Sequence, residues 1–489
     1  CVICFTKKGV IMKRLTAVLL LMCTLALAVS CSKGNELPPA STTTADTGTG
    51  DPYLDSLPKR DWGGAVFNVL CTTQTAPFYD VNEEDGGNSV SASVLSRNKA
   101  ANDRYGITIK HKQMDGNKTG EEAFATEIRT SVLADKGYDL IVGQNYYCLP
   151  AAVEGNLQDL ATSTYLHWDE AWYSQKINEN AVVNGKIFGA SGTYIMSQIS
   201  YAMATFYNKE LWLQSGFTDD LYGLVRDKKW TYEKLNEYVA GQFQDSNHND
   251  NIDKEDHFGY VYNLHGVAAS IAAAGLPITT KDADGKLTVL DYYSPRLVQV
   301  FESYYAFYND AVDAFKMNED FDPAVMLGAG RTLFACAQLG VLNDCTELKD
   351  SKFHVGVLPM PLYDTTQKDY VTYTMRWELF YIPVNADFDR STIVLEYLNY
   401  TSEQLIIPAY WEMALNKRAA DAPQDSEMMY IVKDALWYDF VTFYNHVIPM
   451  RDAVASLINN RNSRIANWWK SNKETYQQEL DKVINDYGK

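Results

Sequence analysis

The chain has 489 residues, 62 of them acidic and 43 basic, for a formal net charge of −19. A surface this acidic repels nucleic acid and anionic lipid, which excludes both as broad electrostatic partners. The length suffices for two or three domains, and beyond one run near the start no apolar stretch approaches a membrane span.

That run comes first in the chain. From Met12 the sequence reads MKRLTAVLLLMCTLALAVSC, with Lys13 and Arg14, an apolar stretch from Leu15 to Val29, then Ser30 and Cys31. A charged start, an apolar middle and a small-residue cleavage site make a secretory signal peptide. The cysteine directly behind it resembles a bacterial lipobox, Ala28-Val29-Ser30-Cys31, with Ala28 where Leu is commoner. The expectation is a mature chain that starts at Cys31 and carries lipid there. It would be held on the extracytoplasmic side of the cell membrane. The competing reading is a plain signal peptide followed by a chance cysteine. Residues 1–30 are therefore set aside, and 31–58, rich in Ser, Thr, Gly and Pro, are expected to form a flexible tether.

Of the eight cysteines, Cys71, Cys148, Cys336 and Cys345 lie in the body, too scattered for a disulfide framework or a zinc site. Each is expected to be buried as a small apolar residue, although an exported location permits pairing.

The body opens with alternating strands and helices. Ala65–Cys71 is an apolar run of strand length, 90–105 has helical spacing, and Ile107–Gln113 alternates with period two. A helix near 120–133 and a strand at Tyr138–Val142 follow, so the spacing predicts βαβ units and a mostly parallel sheet. Ligands on such sheets bind beyond the carboxyl ends of the strands, which puts Gln74 and Asn145 among the candidates. Asn184-Gly185 between apolar pairs predicts a hairpin. Strands are expected at 201–207, 333–342 and 353–359, and helices at 209–215, after the Thr231 cap, and near 295–308. The tail from Arg390 reads as mainly helical.

The segment Asp245–Asp256 places oxygen-bearing side chains at alternate positions of a twelve-residue loop. Asp245, Asn247, Asn249, Asp253 and Asp256, with the Asn251 carbonyl, are the expected ligands of a structural calcium ion. Asp250 stands where Gly is usual, and Asp256 where a longer bidentate Glu is usual. The alternative is a solvated Asx-rich turn. No organic cofactor is expected.

Several segments in order resemble the family 1 extracellular solute-binding proteins of bacterial ABC importers, in their sugar-binding lipoprotein branch. They are Tyr138–Val142, Gly155–Leu160, Asn184–Gly189, Phe206–Leu211, Lys229–Thr231, the acidic loop into Lys254–Gly259, Gly356–Pro361, Pro408–Leu415 and Ser426–Met428. The resemblance implies an α/β, two-lobed periplasmic-binding-protein-like fold with a hinge and a helix-rich C-terminal part. Lobe 1 would hold 59–190 and 327–385, and lobe 2 would hold 191–326 and 386–489. The chain would return to lobe 1 at Arg331–Leu342, and Arg376–Val384 would lie near the last crossing.

It also implies a monomeric, non-enzymatic subunit that closes on a small solute, most simply a saccharide, and delivers it to ABC permease subunits. Sugars stack their C–H faces on aromatic rings, and 33 Tyr and 10 Trp supply platforms. Trp377 near the implied hinge and Trp411 in the matched helix lead the candidates, followed by Trp172 and Tyr194, with Arg376 and Glu378 as polar partners. Each aromatic could equally be core. A tethered glycan hydrolase or a surface glycan-capturing lipoprotein are the alternatives; a hydrolase would need two carboxylates flanking a cleft. No HExxH, GxSxG or phosphate-binding glycine motif occurs.

Overall fold

The computed structural model describes residues 50–487 apart from 83, 85–86, 135–136, 282–286, 290–291, 319–321 and 416–421. The signal segment, Cys31 and the tether up to 49 lie outside the described residues. Eleven strands, numbered in chain order, form two main sheets and a small hairpin.

The first sheet has the order β11-β3-β1-β2. β1 (Ala65–Thr72) runs parallel to β2 (Ile107–Met114) in unbroken register and to β3 (Leu140–Gln144) on its other side. The helices Ser89–Tyr105 and Glu121–Leu133 make the two crossovers, as the βαβ spacing predicts. β11 (Glu378–Tyr381) returns from far along the chain and adds antiparallel to β3. All five residues of β3 are buried, which is why that run carries no alternation.

The second sheet has the order β10-β4-β9-β5-β8. β4 (Met203–Asn208) pairs antiparallel with β9 (Thr332–Gln338) and with β10 (Val355–Leu358). β5 (Phe258–Tyr262) runs parallel to β9 and to the short β8 (Ala314–Lys316). Gly356 of β10 sits where a Cβ would meet the Tyr207 ring at 2.0 Å, so only glycine lets these strands approach. β6 (Thr279–Lys281) and β7 (Leu287–Val289) form the separate hairpin.

Between the sheets several chain passages lie side by side. Ala202 bridges Thr374, Leu339 and Gly340 donate N–H groups to Ala202 and Ser200, and Thr372 bridges Leu436. Connectivity makes 196–203 the route into the second sheet and 372–377 the route back to β11. These laddered passages join the two sheets and stand where the expected hinge would be.

Three expectations are corrected. Arg331–Leu342 does not return the chain to the first lobe: β9 is the central strand of the second sheet, followed by a short helix at Val341–Asp344. An apolar run buried on both faces suits either sheet, so its partner was not legible from pattern. The tail is not confined to the second lobe, because Phe388–Thr401 packs against Ser89–Tyr105 while Ala422–Asp434 packs on β10. Finally, the expected tether stops short of 58: Pro52–Ser56 is helical and Leu57 is buried. The hairpin at Asn184-Gly185 forms as expected, with φ of 51° and 77° at the two turn residues. The four body cysteines are all free and buried. No helix among the described residues is long and apolar enough to cross a membrane.

Candidate functional site

The carboxyl ends of β1, β2 and β3 and the start of β11 meet beside the hinge. Gln74, just past β1, donates from Nε2 to Asp115 Oδ1 at 2.6 Å and accepts from Gly116 N at 2.9 Å. Asn145, just past β3, is fully buried; its Nδ2 donates to the Thr442 carbonyl at 2.8 Å, and its own N–H donates to the Trp377 carbonyl. Arg376 lies over the Tyr201 ring at 5.1 Å and reaches Asn117 Oδ1 at 3.4 Å. Trp377 is 8 % exposed, with Tyr373 at its edge. These four expected residues are brought together.

Arg451, which sequence reasoning missed, completes the group. Its guanidinium lies 3.5 Å from the centre of the Trp377 ring, and Nε donates to Asp452 Oδ2 at 2.7 Å. Burial is the largest influence and works against its charge, but Asp452 together with Tyr373 and Tyr438 outweighs it, so its pKa stands above the ordinary value. Tyr146 is also here: burial raises its phenol pKa, with Arg376 and Arg451 close enough to oppose the rise. Tyr146 could have been found at the end of β3; nothing local in the sequence marks Arg451. The space against Trp377, walled by Ile271, Leu276, Tyr292, Tyr373, Tyr438 and Arg451, is only about 40 Å³. That is room for about one water.

Several acceptor oxygens on or near these segments are buried without a hydrogen-bond partner, among them Gln144 Oε1, Asn145 Oδ1 and Gln338 Oε1. Buried acceptors of this kind call for a donor, from water or from a hydroxyl-bearing ligand.

The side chains of the other expected residues are engaged elsewhere. Glu378 is fully buried and accepts from Ser197 Oγ at 2.6 Å, Thr72 Oγ1 at 2.8 Å and Thr75 Oγ1 at 3.2 Å, so it ties β11, β1 and the crossing segment together. Burial pushes its carboxyl pKa up in spite of those hydroxyls. Trp172 donates to Glu396 at 3.1 Å within an aromatic cluster with Tyr53 and Tyr400. Tyr194 is buried under Arg97, and Trp411 packs between Tyr410 and Tyr430. The side chains of Trp172, Tyr194 and Trp411 pack with these other partners, and that of Glu378, although next to Trp377 in the chain, is taken up by the three hydroxyls. A roomier cavity of about 490 Å³, lined by Tyr173, Gln198, Glu403, Tyr430 and Lys433 among others, holds none of the expected ligand residues.

The acidic loop folds on itself. Asp250 N donates to Asp245, Asn249 Nδ2 and Glu255 N to Asp253, and Ser246 N and Asp253 N to the buried Asp256. Asp250 takes the left-handed conformation at φ 59°, so it serves the turn where glycine is usual. Among the described residues no group of three or more His, Cys, Asp or Glu is gathered to hold a metal ion.

No protein-family model matches the chain, and no curated protein matches it. Solved structures do. An ABC substrate-binding protein of Listeria monocytogenes, in complex with cycloalternan, superposes with a TM-score of 0.52 at 15% identity, covering 87% of this chain and 99% of that one. The maltose/maltodextrin-binding domain MalE of Bdellovibrio bacteriovorus, bound to maltotriose, gives 0.51 at 14% identity over 86% and 100% of the two chains. UgpB of Mycobacterium tuberculosis, in complex with glycerophosphocholine, gives 0.51 at 15% over 86% and 99%. The fold is thus the two-lobed, periplasmic-binding-protein-like one. At this identity the likeness is one of fold, shared with structures described as an ABC substrate-binding protein and a maltose/maltodextrin-binding domain.

Proposed function

We propose that this chain is the solute-binding subunit of an ABC importer, lipid-anchored through Cys31, monomeric, and closing on a saccharide between its lobes without altering it. One observation supports the reading above the rest. At the hinge, where two sheets are joined by laddered passages, a Trp–Arg stack stands beside buried acceptors that lack donors. A sugar offers what such a place asks for: an apolar face for Trp377, and hydroxyl donors for Asn145 and Gln144. Arg376 and Gln74 would hold the hydroxyls nearer the opening. Tyr194, Trp172 and Trp411 are left to the core.

The acidic loop is part of the same proposal, as a structural calcium site. Its support is the spacing of Asp245, Asn247, Asn249, Asp253 and Asp256 along one turn, where carboxylates that accept backbone N–H groups keep lone pairs for a cation.

The test is a thermal-shift titration with maltotriose and a panel of mono- and oligosaccharides, with chromatography of the sugar afterwards. A ligand that binds only the folded state raises Tm by mass action. Arg376→Met and Arg451→Met should each weaken binding about 10- to 100-fold, the equivalent of losing one charge-assisted hydrogen bond of about 1.5–3 kcal/mol. Arg376 is half-buried, so its variant also guards against a trivial folding defect. Sugar turned over by pure protein would replace this reading with the hydrolase; a shift that ignores both arginines would remove the site.

A further inference from the structure

The last residues of the expected tether are bound into the body with more specificity than a linker needs. Asp51 caps the helix Pro52–Ser56, accepting from Tyr53 N at 2.9 Å and Leu54 N at 3.2 Å, while the Tyr400 hydroxyl donates to its carboxylate. The Tyr53 ring stacks on Tyr400 at 4.7 Å and meets Trp172 edge-on at 4.5 Å. Its hydroxyl donates to Glu396 and lies 2.6 Å from His167 Nδ1. Glu396 is a fully buried carboxylate that also takes Tyr173 Oη and Trp172 Nε1. Four residues on from Tyr53, Leu57 is buried, and Arg104 donates to the Leu54 and Leu57 carbonyls.

Every one of these partners belongs to the first lobe. Arg104 is on the helix that crosses from β1 to β2; Glu396 and Tyr400 are on the helix packed against it. Holding seven residues in place costs about 1–2 kcal/mol each in backbone entropy, which polar linker composition cannot offset. Here a half-buried Tyr, a buried Leu and several hydrogen bonds to a sequestered carboxylate do so.

We infer that residues 51–57 are a clip that fastens the tether to the first lobe, so that the anchored lobe is fixed and the second lobe carries the opening motion. The inference rests on the proposed tether and solute-binding reading. The second sheet is joined to the clipped lobe through the hinge passages and the C-terminal helices, so any rigid-body displacement leaves the clip unchanged.

Hydrogen exchange on the full-length chain, with and without maltotriose, tests it. Amides of Tyr53 to Leu57 should exchange at least tenfold more slowly than their intrinsic unprotected rates, with no change on adding the sugar, while amides at 200–203 and 372–376 respond. Tyr53→Ala should bring 53–57 close to those intrinsic rates and leave the sugar-induced thermal shift as it was. Tyr53→Phe keeps the ring and loses the hydroxyl, so protection should fall partway. Unprotected amides at 53–57 in the wild type, or protection there that tracks the sugar, would overturn the clip. A clip that holds while maltotriose alters no amide at all would instead count against the solute-binding reading.

Discussion

Glu378 shows how a residue can be rightly placed and wrongly employed. It stands beside Trp377 at the first strand past the hinge, yet its carboxylate is taken up by three hydroxyls inside the fold. Burial raises its folded pKa, so the folded state holds the proton more tightly than the unfolded chain. The stability it contributes is therefore full below the unfolded value of about 4.3 and is lost as pH climbs through the folded pKa. Glu378→Gln, neutral at every pH, should remove that slope. In urea titrations from pH 4 to 7 the wild type should lose stability relative to the variant; parallel curves would show the charge is already compensated. Trp172, Tyr194 and Trp411 teach the same lesson for aromatics. Their chemistry suits sugar, but burial inside one lobe decides their use, and burial is not written in residue type.

At the level of elements, local signals held wherever the cause was local. Thr231 caps its helix through Lys234 N, and Asn184-Gly185 turns the hairpin because both residues tolerate positive φ. β9 misled because strand pattern reports burial and not neighbours. The acidic loop is a local element too, and its ligand should be testable by itself. Calcium should raise Tm by an amount that grows with the logarithm of its concentration, about 2.7 kcal/mol of stability at 100-fold over Kd. Asp253→Asn should abolish that increment while maltotriose binding persists. A Tm indifferent to calcium would leave the loop as an Asx-rich turn.

For the whole molecule, the contrast between a place that asks for donors and the roughly one-water space beside Trp377 has a mechanical consequence. On the proposed reading, solute would reach the inner faces only when the lobes part, and binding would then select the closed arrangement. Small-angle scattering should record a smaller radius of gyration with saturating maltotriose than without it, in the wild type but not in Arg451→Met. An unchanged radius together with tight binding would mean that this chain takes its solute without hinge motion. The net charge of −19 bears on this scale as well: a surface this acidic is repelled by anionic headgroups and supplies no electrostatic hold of its own on a membrane.

The amino-acid sequence alone determined the parallel βαβ start, the hairpin, the capped helices and the polar ends of β1 and β3, because each follows from periodicity or turn chemistry over a few neighbouring residues. Tertiary structure decided which sheet received β9, which lobe the tail helices covered, and that Arg451 would lie on Trp377 from 74 positions away in the chain. Those outcomes depend on contacts between distant segments, whose free energy comes from shape and burial in the assembled core and leaves no local mark on composition.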